Sequence, residues 1–189
     1  MVNRNFCAAT GVWVAVIAGL ASPVAAAEMA MGFRVGEVTQ NSAIVWTRVT
    51  RDAQRNWDGH REPSKRNPKQ DQYVPSDVAV DDRQGATPGA AGQVRVAITV
   101  KGSPQDRVVT PWADVDAARD HTHQFHFKYL QPDTRYALTV EARDSPGAEV
   151  TATDSGSFRT PATAQTWQDV RFGVVTGQSY WDLDHRDGY

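Results

Sequence analysis

The sequence predicts an all-β fold, a two-layer sandwich of short antiparallel strands, on three observations. Apolar and polar residues alternate with a period of two through its longer apolar segments, so each strand has one dry and one wet face. Clusters of Gly, Pro, Asn, Asp and Ser separate those segments, and no stretch of useful length has helical periodicity. The third observation is a corner. Leu130, Pro132, Thr134 and Tyr136 have the spacing of a tyrosine corner, in which a Tyr opening a strand bonds the backbone just before it.

Taken in order, the first 27 residues read as an export signal rather than as part of the fold. Arg4 supplies the positive start and Ala8 to Leu20 an apolar stretch. Ala25-Ala26-Ala27 is a small-residue cleavage site before Glu28. The apolar stretch is shorter than the ~20 residues that span a bilayer, so no stable membrane span is expected after cleavage. The expected location is secreted or periplasmic, by a general secretion route, since no twin Arg is present. Cys7 is the single cysteine and leaves with that peptide, so the mature chain has neither disulfide nor thiolate ligand. The net charge of −2 gives no electrostatic case for nucleic acid as a partner.

Ala30 to Thr50 reads as the first hairpin. Met31, Phe33 and Val35 alternate, Gln40-Asn41-Ser42 turns the chain, and Ala43-Ile44-Val45-Trp46 follows with Trp46 placed in the core. Residues 51–92 differ in kind: a long polar insertion, rich in Pro and Gly, with too few apolar residues for a core of its own. Loops of that length in a compact domain are functional or mobile as a rule. Its basic stretch, Arg61 to Lys69, mixes both charge signs and reads as a solvated face.

Gln93 to Val100 is a strand with Val94, Val96, Ile98 and Val100 on one face. Val108 to Trp112 is a candidate short strand and Asp114 to Asp120 a polar connector. Phe125, Phe127 and Tyr129 alternate before the corner, and Tyr136, Leu138, Val140 and Ala142 after it. Asp144 to Gly147 is a turn, and Ser155 to Thr160 closes the set with Phe158 inward. About seven short strands with turns between them fit a fibronectin type III or immunoglobulin-like sandwich over 28–160. A linker, 161–169, leads to Val170 to Thr176, a strand-like apolar run, and then to an acidic stretch. A hydrophobic strand delivering polar residues at its end is how open α/β sheets build sites.

Few residues qualify for chemistry. His121 and His123 lie two apart on the Phe125/Phe127 face and His126 on the other; two imidazoles without a third ligand read as partly buried structural histidines. Asp182, Asp184 and His185 fit neither a calcium loop nor a zinc pair. The chain has no nucleophile elbow, phosphate-cradling loop or His-Glu-x-x-His motif.

Several segments together resemble the N-terminal part of secreted alkaline phosphatase D (PhoD-like) phosphatases and phospholipases D. They are MGFRVGEVTQNSAIVWTRV, GQVRVAITV, LQPDTRYALTV and SGSFRTP, with a linker into VRFGVVTGQSY. The resemblance runs from Met31 to Tyr189. It implies a fibronectin-like domain ahead of a metallophosphoesterase domain that begins at 170 and is truncated here. For the full-length family enzyme it implies iron and calcium as cofactors and phosphate esters as substrate. It also implies departures. Gly177 stands where the family has a cysteine metal ligand, before Gln178, and the other ligand motifs would lie beyond Tyr189. No catalytic or metal-binding residue is therefore expected in this chain, and no cofactor. Gln178, Asp182, Asp184 and His185 would form a loop at the edge of the complete site. The expected partner is the chain's own phosphatase domain, with an accessory role for the sandwich. The alternative is a free-standing extracellular module for carbohydrate or a cell-surface protein, binding through Trp57 and Tyr73 in the insertion.

Overall fold

A computed structural model describes residues 26–60 and 77–174 of the chain. Among the described residues eight strands form two sheets: β1 (Phe33–Gly36), β2 (Ser42–Arg48), β3 (Gln93–Val100), β4 (Val108–Val109), β5 (Ala113–Asp114), β6 (Thr122–Lys128), β7 (Arg135–Arg143) and β8 (Ala152–Arg159). One sheet has the order β1-β2-β6; the other has the order β4-β3-β7-β8, with β5 also paired to β3. Every strand pair is antiparallel. This is the all-β, fibronectin-like sandwich that the alternation implied. The candidate strand at 108–112 resolves into β4 alone, and β5 takes two residues expected in or beside the connector.

Residues at every second position of the two sheets meet in one core. Ala43 and Val45 of β2 and Phe125 and Phe127 of β6 face Val94, Val96 and Ile98 of β3 and Tyr136, Leu138, Val140 and Ala142 of β7. The corner closes as its spacing requires: the Gln131 N–H donates to the Tyr136 hydroxyl at 2.7 Å, and the Tyr136 ring stacks on Phe158 at 5.3 Å. Thr160 completes it, its hydroxyl donating to the Gln131 carbonyl at 2.6 Å and accepting from the Thr134 N–H at 3.0 Å. That threonine is fully buried, and its hydroxyl finds its hydrogen-bond partners within the corner.

Trp46 is not in the core. In β2, Ala43, Val45 and Thr47 are buried at alternate positions, with Arg48 buried at the strand's end, which puts Ile44 and Trp46, both half-buried, on the outer face. Trp46 lies between Arg34 of β1 and Gln124 of β6. Four consecutive apolar residues do not reveal which parity faces inward; pairing with both neighbours decides it.

The sandwich reaches back to Ala27, which is fully buried in the core cluster. Its N–H donates to an Asp144 carboxylate oxygen at 2.6 Å, and its carbonyl accepts from the Thr151 hydroxyl at 2.6 Å. A cut before Glu28 would remove this residue and both bonds.

At the other end the linker docks on the corner. Asp133 donates its N–H to the Pro161 carbonyl, and its carboxylate accepts from Arg159 at 2.6 Å and from the Gln168 amide at 2.9 Å. Those two donors, Gln168 foremost, hold the Asp133 carboxyl below its ordinary value. Beyond the linker, residues 170–174 form no strand. Val170, Phe172 and Val174 are 80%, 82% and 81% exposed, because nothing among the described residues offers them a paired edge.

Candidate functional site

The insertion builds a groove. Its described arms, 51–60 and 77–92, are zipped together rather than loose. The Arg51 N–H donates to the Pro88 carbonyl at 2.8 Å, Asn56 N–H to Ala86 at 2.7 Å, and Gly85 N–H to Asn56 at 2.6 Å; His60 and Gln84 continue the pairing. The arms approach so closely at Gly59 that a Cβ there would lie 2.5 Å from the Arg83 backbone, which only glycine permits. The Gln84 side-chain amide donates to the Trp57 carbonyl at 2.9 Å, fixing the backbone that carries the indole. Hydrogen bonding thus orders arms that are too polar to order themselves by burial.

Across from these arms runs the segment leading into β1. Together they line an open groove of about 500 Å³, with Met31 and Arg34 on one side and Gln54, Arg55, Trp57 and Thr87 on the other. The Arg55 guanidinium lies over the Trp57 ring, 3.8 Å from its centroid. Arg34 donates through one terminal nitrogen to the carbonyls of Met31 and Phe33, at 3.2 and 2.8 Å. That anchoring holds the guanidinium in place at the groove's rim.

The floor is tied to the sandwich by Arg48, whose side chain is buried. Its Nη1 donates to the carbonyl and hydroxyl of Thr87, at 2.5 and 3.2 Å. Its Nε and Nη2 form a two-point bond with the Asp120 carboxylate, at 3.0 and 2.8 Å. The Arg48 hydrogen bond holds the Asp120 carboxyl below its ordinary value, against a smaller opposing effect of burial. One side chain therefore links β2, the second arm of the insertion and the turn before β6.

That turn carries His121, and β6 carries His123 and His126. Asp120 and His121 both have left-handed backbones, with φ of 54° and 55°. His121 precedes β6, and its ring fills the space beside Gly89, where a Cβ would come within 2.2 Å of it. His121 and His123 are half-buried and His126 is exposed, as the alternation implied. His123 contacts Phe125 at 4.5 Å between ring centroids. Burial pushes the His123 imidazole below its ordinary value of 6.5, and the positive charges of Arg119 and His126 add to this. The unfolded chain therefore binds this proton more readily than the folded one. The stability contributed by neutral His123 is complete above pH 6.5 and is lost as pH falls through the lower folded value. Urea unfolding from about pH 7.5 down to about pH 5 should show this decline, and His123→Gln should flatten it.

On the outer face of the larger sheet, Trp112 lies under two guanidinium groups, Arg143 at 4.1 Å and Arg95 at 4.5 Å. Arg95 pairs with Glu141 at 2.5 Å, while Gln93 accepts from Arg143 and donates to Asp114. These groups satisfy one another and laminate β5 onto β3 and β7.

Among the described residues no three of His, Cys, Asp or Glu come together as metal ligands. Gly177 has no side chain to offer a metal. Of the binding residues expected from sequence, Trp57 lines the groove, whereas Tyr73, Gly177, Gln178, Asp182, Asp184 and His185 lie outside the described residues. Arg34, Gln54, Arg55 and Thr87 carry no motif; only the tertiary fold brings them together.

Neither a family model nor a curated protein matches the chain. Among solved structures, a redesigned β-sandwich protein is 15% identical with a TM-score of 0.38, covering 72% of this chain and 96% of that one. A structure of PhoD is 17% identical with a TM-score of 0.44; the match covers 71% of this chain but 19% of that one. A human fibronectin type III domain is 11% identical with a TM-score of 0.35, covering 82% and 87%.

Proposed function

We propose that this chain is the non-catalytic N-terminal sandwich of an exported phosphoesterase of the alkaline phosphatase D type, with its hydrolase domain beginning at Val170. The observation that carries this reading is the segment after the linker. Val170, Phe172 and Val174 alternate and are each at least 80% exposed, although the linker before them is fastened to the corner through Asp133. An apolar run of this kind belongs inside a sheet. The order of sequence motifs from Met31 onward supports the same family. In the complete protein the sandwich would shape access to a metal site made by later residues, with phosphate esters as substrate there and iron and calcium as cofactors.

The test is to read the transcript past the Tyr189 codon. The proposal requires an in-frame Gly-Asp-x-x-Tyr motif and further Asp/His motifs; a stop codon with no such motifs contradicts it.

Export belongs to the same proposal, with a refined cleavage point. Because Ala27 is fully buried and its nitrogen bonds Asp144, processing after Ala26 preserves the core and leaves an α-ammonium facing that carboxylate. N-terminal sequencing of the secreted protein should read Ala27 first. A start at Glu28 would contradict this.

A further inference from the structure

We infer that the groove between the β1 approach and the insertion arms binds an acidic saccharide, a short chain of carboxylate-bearing sugars. Its size, about 500 Å³, is that of a pocket for a small ligand. Trp57 supplies an aromatic ring that has Arg55 over one face and whose other face is of the sort that sugar C–H faces stack on, and the Gln54 amide and Thr87 hydroxyl suit sugar hydroxyls. The groove's charge then selects among sugars. Among the described residues that line it are two arginines, Arg34 and Arg55, and no carboxylate.

Arg34 is the residue that would read the acid. Its Nη1 is occupied by the carbonyls of Met31 and Phe33, which fixes the plane of the guanidinium. The Nε and Nη2 edge is the two-donor fork that matches a carboxylate. The site is also prepared before any ligand arrives. The arms are zipped by backbone hydrogen bonds, Gln84 holds the Trp57 carbonyl, and Arg48 fastens Thr87 to the sandwich. Ordering that is already complete does not have to be supplied on binding. The inference holds whether or not the chain is part of a phosphoesterase.

The experiment is an NMR titration of the purified, isotope-labelled protein with trigalacturonic acid, with maltotriose and inorganic phosphate as parallel arms. Amide shifts should be confined to residues 30–34, 53–57 and 85–87, and binding should weaken with added salt. Arg34→Gln and Trp57→Ala should each weaken trigalacturonate binding about tenfold or more, whereas Lys101→Gln, an exposed charge in the turn after β3, should not. Both tested side chains are peripheral to the core, and retained spectral dispersion verifies the fold of each variant. Four results would overturn the inference: maltotriose binding as tightly as the acid, phosphate alone binding as tightly, no loss in Arg34→Gln, or no shifts at about 10 mM ligand.

Discussion

Leu138→Ala should cost about 2–5 kcal/mol of folding stability, the range for removing a large side chain from a closed core. Leu138 is 2% exposed on β7, the strand hydrogen-bonded to both β3 and β8, opposite Ile98 and Gly156. Gly156 has no side chain to fill the gap, and the neighbouring ring of Phe33 would lie 2.7 Å from a Cβ there, so the site collapses poorly. The check is urea denaturation at neutral pH, reading the midpoint with the slope unchanged. A loss well under ~1 kcal/mol would mean that the two sheets do not close over this position.

The second large effect concerns Arg48 and Asp120, and its asymmetry is informative. The Arg48 side chain is 9% exposed and that of Asp120 72%. Asp120→Ala strands a buried guanidinium with only Thr87 and the Asp120 backbone carbonyl as oxygen acceptors. Arg48→Met leaves a carboxylate that water already reaches. Loss of a partner from a fully buried pair costs about 3–5 kcal/mol; the open side of this pair lowers the expectation to about 2–3 kcal/mol for Asp120→Ala. Arg48→Met should cost less, about 1–2 kcal/mol, because a flexible apolar chain replaces the buried stem. Urea unfolding of both variants gives the order. The reverse order would show that Arg48 acts chiefly through packing. The pair should also weaken in acid. The depressed Asp120 carboxyl contributes its stability above its unfolded value of 3.8, and that contribution is lost as pH falls through the lower folded value.

Much of the sandwich was legible because its signals are local. Alternation in 93–100 and 135–143 gives a strand and its inward face together, and the corner spacing fixes where the Tyr136 hydroxyl bonds. Trp46 was misplaced because a continuous apolar run has no readable parity; its face depends on pairing with β1 and β6. The insertion read as a long polar loop without a core of its own, and the order of its arms was hidden because backbone hydrogen bonds hold them, which leave no trace in side-chain composition. Trp57 could be singled out as an aromatic in a polar stretch. Arg34 could not, since its place beside Trp57 follows from a fold that joins residues far apart in sequence. The burial of Ala27 was hidden for a related reason: small residues before a cleavage site look alike, whichever of them the core later uses.

The most direct test of the central claim, a binding scaffold without a catalytic centre of its own, is hydrolysis of bis(p-nitrophenyl) phosphate. The purified chain would be assayed with iron and calcium added, in parallel with a chelator-treated sample. No release of nitrophenolate above the buffer rate is expected in either sample. Release by the metal-supplemented protein that the chelator abolishes would contradict the claim.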